Sequence, residues 1–168
     1  MSTINRLNGV TSANILSVDG KSASAIARIN GQALLTSSLL LDQYGTNALV
    51  AYSLRKLSSS YSGSAIRVRR TNDNAELDIG FDSNGELDSS AIISFVGTGN
   101  NGHIAVWYDQ SGNSHNATGT TASRQPLIAE SSGPLFPPQI ITSNGKPSAT
   151  NISGQTYFVT ITTIPLTS

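Results

Sequence analysis

Three copies of an 11-residue unit open the chain and limit its first 35 residues to few backbone shapes. Ile4, Ile15 and Ile26 recur at that interval, followed in register by Leu7, Val18 and Ile29, then Asn8, Asp19 and Asn30, then Gly9, Gly20 and Gly31. Asn-Gly and Asp-Gly favour tight turns with positive φ, which match the right-handed twist of a hairpin. The unit therefore reads as short strands separated by turns. An 11-residue period also fits a right-handed helical stripe, but a Gly beside Asn or Asp in every unit opposes a helix. Three such units expose more apolar edge than they can bury alone. Residues 1–35 are expected to be a docking segment that packs on another chain, with Ile4, Leu7, Gly9, Ile15, Val18, Gly20, Ile26, Ile29 and Gly31 as the assembly residues.

Residues 36–47 read as a linker, entered through an apolar run at 34–41 that suits a strand. Residues 48–168 read as one domain. Thr46 or Asn47 can cap a helix over 48–57, where apolar residues fall at three- and four-residue steps. Strand alternation follows at 65–70, with Ile66 and Val68 on one face and Arg67 and Arg69 on the other. Leu77, Ile79 and Phe81 alternate in the same way. Asp88 is placed to cap a second helix over 91–96, which Gly97 would close. Residues 102–108 form a strand, 109–113 a turn, and 126–128, 138–141 and 157–164 further extended segments. Many short β-runs without βα alternation predict a mainly β sandwich carrying two short helices.

Composition closes off several functions. Ten Lys and Arg balance ten Asp and Glu, and charged residues make up 12%. Such a chain has no electrostatic reason to bind nucleic acid or an anionic membrane. It has no cysteine, which excludes disulfides and thiolate metal sites. No run approaches the roughly 20 apolar residues of a membrane span, and the first residues lack a signal peptide's basic and apolar regions. No cofactor and no metal are expected.

A family resemblance rests on several strings: Ala51-Tyr52-Ser53-Leu54-Arg55-Lys56-Leu57, Tyr61-Ser62-Gly63, Arg67-Val68-Arg69-Arg70, Asp73-Asn74, Asp78-Ile79 and above all Trp107-Tyr108-Asp109-Gln110-Ser111-Gly112-Asn113. From about residue 48 to about 147 the chain resembles the catalytic domain of α-L-arabinofuranosidase B. The resemblance implies a concanavalin-like (laminin-G-like) β-sandwich, here C-terminally short. The same module recurs in large phage structural proteins, whose repeats are similar to the one at the start of this chain. The enzymes of the family use a nucleophilic carboxylate and a carboxyl acid/base that lie C-terminal to these strings. Neither maps onto a residue here, and Glu130 is the single acidic residue after Asp109. The enzymes' cysteines are also missing.

Four residues are candidates for carbohydrate binding: Trp107, Tyr108, Asp109 and Asn113. Trp107 and Tyr108 are adjacent on a strand and so point to opposite faces. The bland alternative makes Trp107 core and packs Tyr108 on the helix near Ala51, while Asp109 and Asn113 fix a turn through their own backbone. Asp109, Ser111 and His115 lie close in sequence, but no Gly-x-Ser-x-Gly elbow supports a hydrolase triad. The Arg67, Arg69 and Arg70 cluster is expected to pair with Asp73, Glu76 and Asp78.

These readings combine into an expectation of a non-enzymatic structural protein of a bacteriophage particle, a tail-fibre, baseplate or host-attachment component. It would be located in the virion as an oligomer. Its partners would be other virion proteins, copies of itself and a host surface glycan, with no nucleic acid and no membrane insertion. The alternatives are a capsid decoration protein, a carbohydrate-binding module and an α-L-arabinofuranosidase-type glycoside hydrolase fragment.

Overall fold

A computed structural model describes residues 6–7, 10–11, 17–18, 21–22, 28–29, 32–33, 39–45 and 47–150. The chain divides into two units, Met1–Ser38 and Leu39–Ser168. The first holds β1 (Arg6–Leu7), β2 (Val10–Thr11), β3 (Ser17–Val18), β4 (Lys21–Ser22), β5 (Arg28–Ile29) and β6 (Gln32–Ala33). They pair antiparallel in sequence order, with Leu7 opposite Val10, Val18 opposite Lys21 and Ile29 opposite Gln32. Two residues separate the strands of each pair, and in each repeat they are the Asn-Gly or Asp-Gly dipeptide. The period is thus one of hairpins, and the helical alternative falls away. Ile4, Gly9, Ile15, Gly20, Ile26 and Gly31 lie outside the described residues.

The second unit contains α1 (Leu40–Tyr44), β7 (Ile66–Arg70), β8 (Glu76–Ile79), α2 (Ser89–Val96), β9 (Gly102–Trp107), β10 (Ala117–Thr118), β11 (Leu127–Glu130), β12 (Gln139–Ile140), β13 (Thr142–Ser143) and β14 (Lys146–Pro147). A 3₁₀ turn spans Ala122–Arg124. Six strands form one antiparallel sheet in the order β12-β11-β9-β7-β8, with β10 also paired to β9. Strand β9 is central. One edge pairs with β7, and the other with β10 near Trp107 and β11 near Gly102. The unit is mainly β, antiparallel, with two helices, consistent with a β-sandwich.

The alternation in β7 places Ile66 and Val68 in the core, both fully buried. Ile79 from β8, Ile104 from β9, Ile128 from β11 and Ile92 and Val96 from α2 complete it. Each such side chain contributes roughly 1.5–3 kcal/mol by leaving water. Helix α2 forms as the sequence predicts: Asp88 Oδ1 accepts from the Ala91 N–H at 3.0 Å, and Gly97 ends the helix at φ 71°. The helix lies close on the sheet because Gly102 has no side chain. A Cβ there would stand 2.8 Å from Val96 Cγ2.

Three expectations are corrected. Residues 48–57 are not helical, and Leu40 and Leu41, expected to be extended, belong to α1. The polar backbone of 48–57 is satisfied by distant side chains instead of by a helical ladder. The Ala51 N–H donates to Asp109 and the Leu57 N–H to Gln110 Oε1, while Gln110 Nε2 donates to the carbonyls of Ser53 and Arg55. Third, Arg69 is buried, not solvent-facing. Its guanidinium donates to Gln125 Oε1 at 2.7 Å, Asn74 Oδ1 at 2.9 Å and the Ala122 carbonyl at 3.2 Å. The expected ion pairs of its neighbours do form, Arg67 with Asp78 at 2.6 Å and Arg70 with Asp73 at 2.7 Å. The extended segment predicted at 157–164 lies outside the described residues.

Candidate functional site

Beyond β9 the chain turns sharply, and Asp109 organises the turn. Its side chain is fully buried. Oδ1 accepts the N–H groups of Ala51 and Ser111, both at 2.8 Å; Oδ2 accepts the Ser111 hydroxyl at 2.8 Å and the His115 N–H at 3.0 Å. Burial by itself would raise the pKa of this carboxyl. The donors, led by the Ser111 and Ala51 N–H groups, outweigh it and hold the pKa below the ordinary value. Asn113 Nδ2 donates to the carbonyls of Ala48 and Leu49, each at 3.0 Å. The two side chains that the sequence offered for sugar binding or for a turn thus fix the turn and clamp residues 48–51 onto it.

Ser111, Asp109 and His115 do come together, but in the wrong order for a nucleophile. The serine hydroxyl donates to the carboxylate, and His115 Nδ1 lies 3.1 Å from the Leu49 carbonyl oxygen. A triad needs the histidine between serine and acid. Tyr108 is also placed differently from the expectation. Its hydroxyl donates to Asp78 Oδ1 at 2.7 Å, and no helix forms at Ala51 for it to pack on. Burial, and then the bond to Asp78, push its pKa up to about 12.

Trp107 is half-buried against the core, and its ring forms part of the wall of an open pocket of about 470 Å³. That volume lies within the range of small-molecule sites. Leu54, Pro147 and Ala149 extend the apolar wall, and Arg55, Glu86 and Lys146 supply charge. Residues from four separated stretches of chain meet here. Arg55 and Glu86 are brought opposite each other by an antiparallel bridge. Lys146 arrives on the β13–β14 hairpin, whose turn uses positive φ at Asn144 (50°) and Gly145 (73°). Lys146 Nζ donates to Glu86 Oε1 at 2.9 Å. Sequence reasoning found Trp107 but missed Arg55, Glu86 and Lys146, because no local pattern marks three charges dispersed over 92 positions (146 − 55 + 1).

An apolar wall with a carboxylate and two cations can hold a polar ring ligand and orient its hydroxyls. Two other carboxylates line an adjoining groove with Glu86, but both are engaged by the fold. Asp82 Oδ1 accepts the N–H groups of Asn84 and Glu86, and Asp88 caps α2. Double-displacement glycoside hydrolysis needs two carboxyl groups about 5 Å apart, one of them with a raised pKa. Among the described residues, every carboxyl whose pKa shifts is shifted down: Asp42, Asp73, Asp78, Asp88 and Asp109.

Comparison with known proteins bears on which chemistry the pocket belongs to. No curated protein matches the chain. A solved structure described as a GH54 α-L-arabinofuranosidase soaked with a cyclic sulfate inhibitor is 31% identical, over 47% of this chain and 17% of that one, with a TM-score of 0.42. The chain thus spans about a sixth of the length of that protein. The family model for the catalytic domain of α-L-arabinofuranosidase B matches residues 40–156. What matches is the catalytic domain of an enzyme. This overturns the expectation of a non-enzymatic particle protein, and the tail-fibre, baseplate and decoration readings have no support. Because the match takes in well over half of the 168 residues, the chain belongs to the α-L-arabinofuranosidase B catalytic-domain family.

Proposed function

We propose that the protein acts on α-L-arabinofuranosides as part of a glycoside hydrolase catalytic domain, and that the Trp107 pocket holds the sugar. The family match over residues 40–156 carries this reading. The pocket's chemistry supports it. An indole and aliphatic wall suits the apolar face of a sugar ring, and Glu86 can accept from ring hydroxyls. The antiparallel sheet, apolar on the α2 side and polar on the side of Arg67, Asp78 and Tyr108, is consistent with one layer of a concanavalin-like sandwich.

Trp107 is the single tryptophan of the chain, so its fluorescence reports directly on this pocket. An aryl α-L-arabinofuranoside is expected to shift that fluorescence and to be hydrolysed faster than in buffer. Glu86→Gln should raise KM about three- to tenfold, the difference of about 1 kcal/mol between a hydrogen bond to a charged acceptor and one to a neutral acceptor. If the fluorescence does not respond and no turnover occurs at millimolar substrate, the reading is wrong.

A further inference from the structure

Among the described residues, one charge of the pocket has no partner. Arg55 and Glu86 face each other in an antiparallel bridge, fixed by the Lys56 N–H donating to the Gly85 carbonyl at 2.7 Å. Residues directly opposite in such a pair have Cβ atoms about 5 Å apart, within easy reach for an ion pair. Glu86 is nevertheless taken by Lys146 at 2.9 Å. Among the described residues the Arg55 guanidinium has no ion-pair or hydrogen-bond partner, and it is exposed at the pocket wall. Two cations and one anion leave the wall with one net positive charge beside an aromatic surface.

We infer that the Trp107 pocket selects an acidic saccharide, a uronate-bearing glycan whose carboxylate is received by Arg55. A planar guanidinium matches a carboxylate bidentately, as an ammonium does not. Glu86 is engaged by Lys146 on the β13–β14 hairpin, and Arg55 is the cation of the pocket wall that stands open to a ligand carboxylate. The inference draws on the arabinofuranoside reading for the class of polymer, an arabinofuranosyl-decorated glycan with uronate neighbours. The binding of the carboxylate stands on geometry alone.

The test uses the full chain and Trp107 fluorescence, with digalacturonate as probe and its carboxyl-reduced, neutral form as control. Digalacturonate is expected to bind about fivefold tighter, the most that one exposed charge pair provides. That preference should vanish in about 1 M salt, where the screening length falls to about 3 Å, and in Arg55→Gln, which should unfold at the same temperature as the parent. Equal affinity for the two sugars overturns the inference, as does a lack of response to both or a preference that survives in Arg55→Gln. The outcomes separate from those of the proposed function. Arabinofuranoside turnover without carboxylate preference sinks only the inference. Preference without turnover sinks only the activity.

Discussion

Two carboxylates show how differently the same group is used in this molecule. Asp109 has a fully buried side chain and four donors, three of them backbone N–H groups. Glu86 has a side chain one-third exposed and one flexible partner, Lys146, which is itself 68% exposed. The first has no lone pair to offer a ligand, because the fold has claimed its acceptor capacity. The second can exchange a solvated lysine for a sugar hydroxyl at little cost, since such exposed pairs are worth about 1 kcal/mol or less. Its place in the most specific sequence string made Asp109 one of four candidates for sugar binding. The donor count moves the functional candidate to Glu86.

The sharpest way to break the comparison is Asp109→Ala. It leaves the N–H groups of Ala51, Ser111 and His115 without their acceptor and releases residues 48–51 from the turn. A loss of about 3–5 kcal/mol is expected, the range for removing one side of a buried charged network, read as a lower urea midpoint. A loss below about 1 kcal/mol would mean that the turn holds itself without the carboxylate.

Acid titration gives the next largest effect. The folded pKa of Asp109 lies below its unfolded value. The carboxylate therefore contributes stability that is fully present above the unfolded pKa, about 3.9, and lost as pH falls through the folded pKa. The pKa of His103 is also lowered, by burial first and by Arg69. Its neutral form is favoured in the fold, so stability should begin to fall once pH drops below about 6.5. Denaturation midpoints measured from pH 8 to pH 2 should decline in two stages. Asp109→Asn should shrink the lower stage, to which Asp42, Asp73, Asp78 and Asp88 also contribute, and leave the upper one.

Asp88 lies between the two extremes: it lines the groove beside Glu86, yet it caps α2. Asp88→Ala should cost about 1 kcal/mol, the usual value of an N-cap, with arabinofuranoside binding unchanged. Glu86→Gln should show the reverse, a stability change within about 0.5 kcal/mol and a clear binding defect. If Glu86→Gln unfolds the protein more readily than Asp88→Ala, the Lys146 pair is structural and the distinction between the two carboxylates fails.

What was legible in the sequence was short-range. Asn-Gly and Asp-Gly at 8–9, 19–20 and 30–31 separate in sequence the strands of three antiparallel pairs, Asp88 and Gly97 bound α2, and the alternation of Ile66 and Val68 sets the buried face of β7. Each depends on φ/ψ preferences, caps or side-chain period within a few residues, and sequence order carries that information directly. Tertiary structure decided what depends on competition between distant partners. The periodicity of 48–57 suits a helix, but acceptors and donors at Asp109, Gln110, Ser111 and Asn113 take its backbone groups from 53 to 65 positions away. One of these contacts, from Ala51, joins the Ser111 and His115 donors in taking up the lone pairs of Asp109. Arg69 alternates as an outward residue and is buried because Gln125 and the Ala122 carbonyl, more than 50 positions on, fold over it. The pocket at Trp107 exists only where residues 53–55, 86 and 146–149 converge. A propensity is a property of a segment, whereas the satisfaction of a buried polar group depends on whatever the fold brings beside it.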